Sequence, residues 1–448
     1  MKLKEKISSL QFIALGFFIT ILIGSCILCL PISTKNHEWV PFIDALFTAT
    51  SATCVTGLSI YDTFEQWSLF GQIIILIMIQ IGGLGFMTVV TLVLFIMRKN
   101  LGLYERTILV QSAGTFSFKG IVSLIKKILI ITFSCEIVGA FILSFQFIKD
   151  FGWARGLWFS LFHSISAYCN AGFDLLSCTG EASLAHYRQN PLVILTICSL
   201  VIIGGLGFIV WSDLFENKFN FKKLTTHSKI VLVYSLIIII FPCLIFLGAE
   251  WNYSLAGASN FWEKLLGSFF FAVTPRTAGF STHDYSSFSG AGLMLTMILM
   301  VIGGNSGSTA GGLKITTIVV VLANLTANIK DRKNAKLFER SVPESVFKQA
   351  AALVILYVLI SCTSILAISA LESQFTLTQI TFEVLSALST VGLSTGITSL
   401  IEIPYTKIIL IFLMYAGRVG ALSLFSSLMK KRNDQVLLKV CEGKIIVG

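Results

Sequence analysis

FTATSATCVTGLS, FHSISAYCNAGFD, FFFAVTPRTAGFS and FEVLSALSTVGLS are four segments of one chain that align on a single glycine, Gly57, Gly172, Gly279 and Gly392. Each has phenylalanine ten residues earlier, at Phe47, Phe162, Phe269 and Phe382. Before the glycine stand Cys54, Val55 and Thr56, then Cys169, Asn170 and Ala171, then Arg276, Thr277 and Ala278, then Ser389, Thr390 and Val391. Because these side chains differ from copy to copy, any chemistry they share must come from the backbone. Main-chain carbonyls at such turns can replace the water shell of a monovalent cation, and glycine reaches a positive φ without a Cβ penalty. The candidate ion ligands are therefore the backbone oxygens of these residues.

Such turns need a scaffold. Of the 448 residues, 55% are hydrophobic and only 12% charged, against about a quarter charged in a soluble domain. A spanning helix needs about 20 apolar residues, and eight such runs are present, roughly 10–30, 70–97, 121–148, 191–212, 229–249, 291–324, 348–371 and 405–429. Only the sixth is visibly broken. A second marker follows each glycine: IGGLGF at 81–86 and 203–208, IGGNSG at 302–307 and AGRVGA at 416–421. Each unit thus reads as a spanning helix, a short apolar helix, a glycine turn, and a second spanning helix carrying small residues midway. The expected fold is an all-α membrane protein of four tandem helix–pore loop–helix units, eight transmembrane helices, around a pseudo-fourfold central pore. The units divide at 1–100, 101–225, 226–340 with an interrupted second helix, and 341–448 with a cytoplasmic tail. Non-helical backbone at membrane depth is tolerated only where it is buried in protein or lines a watery path, and a ring of four turns would supply that path.

The net charge of +10 follows membrane topology rather than a nucleic-acid surface. If the runs alternate, 24 of the 33 basic residues fall on one side, including Lys2, Lys4, Lys6, Arg98, Lys99, Arg106, Lys119, Lys333, Lys430, Lys431, Arg432, Lys439 and Lys444. Both termini are therefore expected in the cytoplasm. The opposite connections hold seven basic residues against thirteen carboxylates, among them Asp44, Asp62, Asp174 and Glu383, so the outer face should attract cations.

Other chemistries fit less well. Cys26 and Cys29 form a CxxC pattern, but most of the ten cysteines lie in apolar runs, where a thiol behaves as a small hydrophobe. The five histidines are scattered, without zinc-ligand spacing. GSTAGGLK at 307–314 lacks the strand and spacing of a phosphate loop, and GLSTG at 392–396 lies in a re-entrant turn rather than a strand–helix elbow. No enzyme, organic cofactor or nucleic-acid partner is implied. Within the sixth run Gly303, Gly304, Asn305, Ser306, Gly307, Ser308 and Thr309, continuing to Lys314, oppose a continuous helix. Lys314 could support that break or snorkel inward. Arg418, aligned with Gly83, Gly205 and Gly304, and Glu136 in the third run are charges at membrane depth that should face a cavity or a partner. The sequence offers no partner for Glu136, and the apolar segment 437–448 should pack against something, such as a second protomer.

The four degenerate loops, the acidic outer face and IGGNSGSTAGGLK at 302–314 resemble the Trk/Ktr/HKT superfamily of potassium transporters over essentially the whole chain, most closely its Ktr membrane subunits. That resemblance implies potassium uptake across the bacterial cytoplasmic membrane through a carbonyl filter. It also implies a mobile intramembrane loop acting as gate and an arginine, here Arg418, as an electrostatic barrier contacting it. In plant members a serine in place of the first filter glycine accompanies sodium transport, and this chain has glycine in all four units. The alternative is a sodium or weakly selective monovalent cation transporter of the same fold. A homodimer, a cytoplasmic nucleotide-binding regulatory ring, and sodium as an activating or coupled ion are further implications of the resemblance.

Overall fold

The computed structural model describes residues 9–85, 121–332, 335–338 and 340–420. Among these the only strands form one short hairpin, Lys336–Leu337 against Arg340–Ser341. The basic residues at both termini and in 98–119, Lys333, segment 437–448, Phe86 and Ala421 lie outside the described residues.

The first helix of each unit is long and unbroken: Ser9–Leu28, Ile121–Phe151, Thr226–Ala249 and Glu344–Leu371. Each exposes large apolar side chains, such as Phe18 and Ile23, Phe141 and Phe145, Phe241 and Leu244, and Leu359 and Leu366. Bands of this size are unstable against water, whereas helices satisfy their own backbone groups in lipid. The four outer helices therefore face hydrocarbon.

A short helix follows in each unit: Phe42–Thr53, Trp153–Cys169, Phe261–Val273 and Leu377–Ser389. Exposed Trp39, Trp153 and Trp262 stand at the start of the first three, as expected of rings anchored at a membrane interface. Phe47, Phe162 and Phe382 are fully buried and Phe269 partly so, and together they knit the short helices into one core shared by all units.

The second helices, Leu69–Leu84, Pro191–Gly205, Gly290–Val301 and Pro404–Val419, stop at the small-residue marker instead of running through it. Ser68, Asn190 and Ser289 cap three of them by accepting backbone N–H bonds, and proline opens the fourth. Gly85 and Gly420, at φ 83° and 91°, cap the ends of two of these helices, and Gly207, at 98°, stands between Pro191–Gly205 and the helix that follows it. This corrects the expectation that only the sixth run is broken. The fourth is bent by 88° between Pro191–Gly205 and Phe208–Glu216. The bend is stabilised from outside its own unit, because Phe208 N donates to Gly307 O of the third unit at 2.8 Å, replacing the helical bond the kink removes. The sixth run is divided as the glycines require, into Gly290–Val301 and Ile315–Ile329.

The first and last units meet through Asp44, which sits in the first turn of Phe42–Thr53, where the helix dipole favours a carboxylate. Lys407 Nζ lies 2.6 Å from Asp44 Oδ1, and Tyr61 Oη donates to Asp44 Oδ2 at 2.7 Å. Both charged side chains are largely buried, at 12% and 8% exposure, so removing one leaves the other uncompensated. Lys407→Met should cost about 3 kcal/mol and lower the unfolding temperature in detergent. Adding Asp44→Asn to Lys407→Met should recover most of that loss.

Candidate functional site

The four short helices end at the same place relative to the aligned glycines, and the chain then turns in the same way four times. Val55, Asn170, Thr277 and Thr390, each two residues before its glycine, adopt φ of 57°, 60°, 66° and 52°. The glycines follow at 95°, 69°, 80° and 90°. Positive φ is unfavourable for β-branched residues, so the turn must be held by its surroundings. Three units hold it identically: Thr56 N donates to Ser51 O, Ala171 N to Ser166 O and Val391 N to Ser386 O, at 2.7 to 2.8 Å. The serine hydroxyls add a second tie, to Gly57 N, Phe173 O and Gly392 N. The third unit has Val273 at that position, and Thr274 takes over by donating its hydroxyl to Phe280 O at 2.5 Å. The serine six residues before the glycine was a repeated signal in the sequence, and the sequence reading did not use it.

The four turns close into a ring. A Cβ on Gly57 would come within 2.5 Å of Ala171 O, one on Gly172 within 2.8 Å of Ala278 O, and one on Gly279 within 2.5 Å of Val391 O. One on Gly392 would overlap Thr56 O, which returns the circle to the first unit. Val55, Thr56, Asn170, Ala171, Thr277, Ala278, Thr390 and Val391 are all buried. Among the described residues no protein donor reaches any of their carbonyl oxygens. Buried carbonyls are nearly always paired, so eight oxygens clustered at one ring without a donor among the described residues mark this ring as the candidate site. The buried hydroxyls of Thr56 and Thr390 are likewise without partners. Arg276 is buried with its Nε unpaired. Outside the membrane-spanning helices, burial and then the neighbouring Asp62 push the Asp174 carboxyl, two residues beyond Gly172, up to about 6.

Beneath the ring the marker glycines let the second helices pack on the short helices. A Cβ on Gly82, Gly204 or Gly417 would overlap the carbonyl of Thr53, Tyr168 or Leu388, each four residues before its ring glycine. In the third unit Gly303 packs instead on Gly311, because the chain leaves the helix and returns. This loop is closed at its base by Gly303 N to Leu313 O at 2.9 Å and Ile315 N to Gly304 O at 3.1 Å. It reaches the second and fourth units and the first helix of its own unit. Asn305 Nδ2 donates to Gly205 O at 2.9 Å and to Ser235 Oγ at 3.2 Å, and Thr309 Oγ1 donates to Tyr168 O at 3.2 Å. Ser306 and Gly307 lie against Gly207, Ser308 Oγ turns back to Asn305 O at 2.7 Å, and Gly311 abuts Thr390.

Two cations hold the loop. Arg418 donates to Thr309 O and to Gly82 O, with a longer bond of 3.4 Å to Gly83 O. Lys314 Nζ donates to Ala310 O at 2.8 Å and Gly311 O at 3.2 Å, so it supports the loop rather than snorkelling away. Glu136 finds the partner the sequence withheld: Gln80 Nε2 donates to its carboxylate at 3.0 and 3.3 Å, and Cys169 Sγ lies 3.9 Å from Glu136 Oε1.

The family model described as TrkH, cation transport protein, matches residues 7–436. The chain is 41% identical to the potassium/sodium uptake protein NtpJ of Enterococcus hirae, over 100% of this chain and 99% of that protein. It is 39% identical to the Ktr system potassium uptake protein B of Bacillus subtilis, over 98% and 96%. Among solved structures it resembles the potassium transporter TrkH from Vibrio parahaemolyticus, with a TM-score of 0.74 at 18% identity, covering 95% of this chain and 86% of that one.

The ring geometry separates two kinds of glycine. Gly392→Ala places a Cβ on a positive φ and against Thr56 O, and should destabilise the protein by about 1–3 kcal/mol. Gly205→Ala, whose nearest neighbour would be the Asn170 side chain at 3.5 Å, should leave thermal unfolding in detergent nearly unchanged.

Proposed function

The chain belongs to the TrkH family of cation transport proteins, multi-pass cell-membrane transporters and not enzymes, and from that premise we propose that it takes up potassium through the ring at Gly57, Gly172, Gly279 and Gly392. The observation that carries this reading is the set of eight buried ring carbonyls without protein donors. A dehydrated monovalent cation satisfies them without any ionised side chain, as carbonyl filters do.

The loop 303–314 and Arg418 form the gate in this reading. The loop lies directly below the ring, and Arg418 ties its Thr309 carbonyl to the first unit at Gly82. A fixed guanidinium there repels a passing cation at close range. Opening then requires the loop to leave the carbonyls of Tyr168 and Gly205 while Arg418 releases Thr309. Glycines supply the freedom for that movement, and no spanning helix has to shift.

Potassium is the ion favoured by glycine in all four turns and by the name of the Bacillus subtilis relative. Sodium passage is the second reading, and the name of the Enterococcus hirae relative favours it. The relatives' Ktr-system names also support a cytoplasmic regulatory subunit binding the basic inner face, with both termini on that side. A homodimer completes the proposed assembly.

The test is growth rescue and rubidium uptake in a bacterium lacking its own potassium uptake, at low potassium with and without sodium. Rescue by the wild-type chain is expected, and failure to rescue despite membrane expression would overturn the reading. Deleting residues 305–311 should raise the uptake rate on the order of tenfold, the shift produced by losing about 1.4 kcal/mol of closing free energy. Arg418→Gln should move uptake or its voltage dependence in the same direction.

A further inference from the structure

Nine residues before the ring glycines stand Thr48, His163, Phe270 and Glu383, one on each short helix. The glycine contacts run from first unit to second, third, fourth and back, so the second and fourth units face each other across the ring. Those two carry the titratable residues.

His163 is fully buried in Trp153–Cys169. Its Nδ1 lies 2.7 Å from Phe159 O, and its Nε2 accepts from Leu175 N at 3.3 Å. A carbonyl on one side and an N–H on the other admit one form: neutral imidazole with the proton on Nδ1. Phe147, Phe159, Phe162 and, from the third unit, Phe280 wall the ring in. Glu383, buried in Leu377–Ser389, accepts the Ser394 hydroxyl and Thr395 N on Oε1, the latter at 3.2 Å, and the Thr398 hydroxyl on Oε2 at 2.8 Å. Leu175 and Thr395 are each three residues beyond their ring glycine. Thr48 instead donates back to Asp44 O at 3.1 Å, and Phe270 has no polar atom to offer. The same helical position therefore reaches the same backbone N–H in two diagonal units, by unrelated side-chain chemistry.

Resting on the filter reading above, we propose that His163 and Glu383 are a diagonal pair of positioning residues that pin the outer ends of the second and fourth turns and thereby set the discrimination between potassium and sodium. Each brace lies four residues along the chain from a ring carbonyl, that of Ala171 or Val391. With both outer ends fixed, those oxygens cannot close around a smaller ion, and potassium keeps its advantage. The unpinned turn of either unit would follow the ion inward.

The test uses the full chain in proteoliposomes, measuring KM and maximal rate for rubidium and inhibition by sodium. His163→Phe keeps a ring without an acceptor, and Glu383→Leu keeps the bulk without the carboxylate. Each should reduce the preference for potassium over sodium roughly tenfold, the scale set by one unpaired buried donor, with a smaller change in maximal rate. His163→Gln and Glu383→Gln, which retain an acceptor, should stay within about threefold of wild type. If the first two fail to accumulate, His163→Asn and Glu383→Asp, which shorten the reach, take their place under the same criterion. Wild-type preference in folded variants lacking the brace would overturn the proposal. A wild-type chain that moves no rubidium would instead sink the filter reading itself.

Discussion

A carbonyl oxygen turned away from its helix inside a bilayer must be matched by a donor, a water or an ion, because hydrocarbon offers nothing. At Val55, Thr56 and their counterparts in the other three units, oxygens of that kind are gathered with no donor in reach among the described residues. Everything else in the molecule can be read as the means of holding them there. The short helices deliver the chain to the ring, the serines six residues before the glycines tie the turns, and the glycines let neighbouring turns approach to contact distance. A methyl group at any of the four would displace an oxygen of the adjacent unit, so the requirement for glycine is steric as well as conformational.

The same chemistry recurs below the ring with the charges covalently attached. Among the described residues Arg418 and Lys314 are both satisfied by main-chain carbonyls, those of Gly82, Thr309, Ala310 and Gly311, and not by carboxylates. A carboxylate partner would lock such a cation far more tightly in a low-dielectric setting. Carbonyl partners leave an interaction that a passing cation could replace. The loop also departs from the fourfold pattern, and it occupies the place where the other units pack a glycine against their own short helix.

The fourfold plan, the glycine register and the broken sixth run were legible because each is written in glycine, the one residue whose placement at positive φ or at close approach leaves little choice. Arg418 was legible because an arginine at membrane depth demands an explanation. The bend at Gly207 was not, although Gly85 and Gly420 occupy equivalent places, because glycines in an apolar run also suit close helix packing without a bend. What distinguishes Gly207 is a bond from Phe208 to Gly307, a residue one hundred positions away. The partner of Glu136 was hidden for the same reason, since Gln80 belongs to another unit. Positive φ at Val55 and Thr390 runs against side-chain preference and is enforced only by the bonds around it.

Symmetry and its loss divide according to what each layer must do. The backbone of the ring is repeated almost without variation, although the residues three before the glycines are cysteine in two units, Cys54 and Cys169, and Arg276 and Ser389 in the others. The layers behind and below diverge. Asp44 with Tyr61 and Lys407, Thr274 with Phe280, and the loop with Arg418 are each built once. The backbone geometry at the ring is thus common to all four units, the serine that ties it is shared by three, and the remaining supports differ from unit to unit.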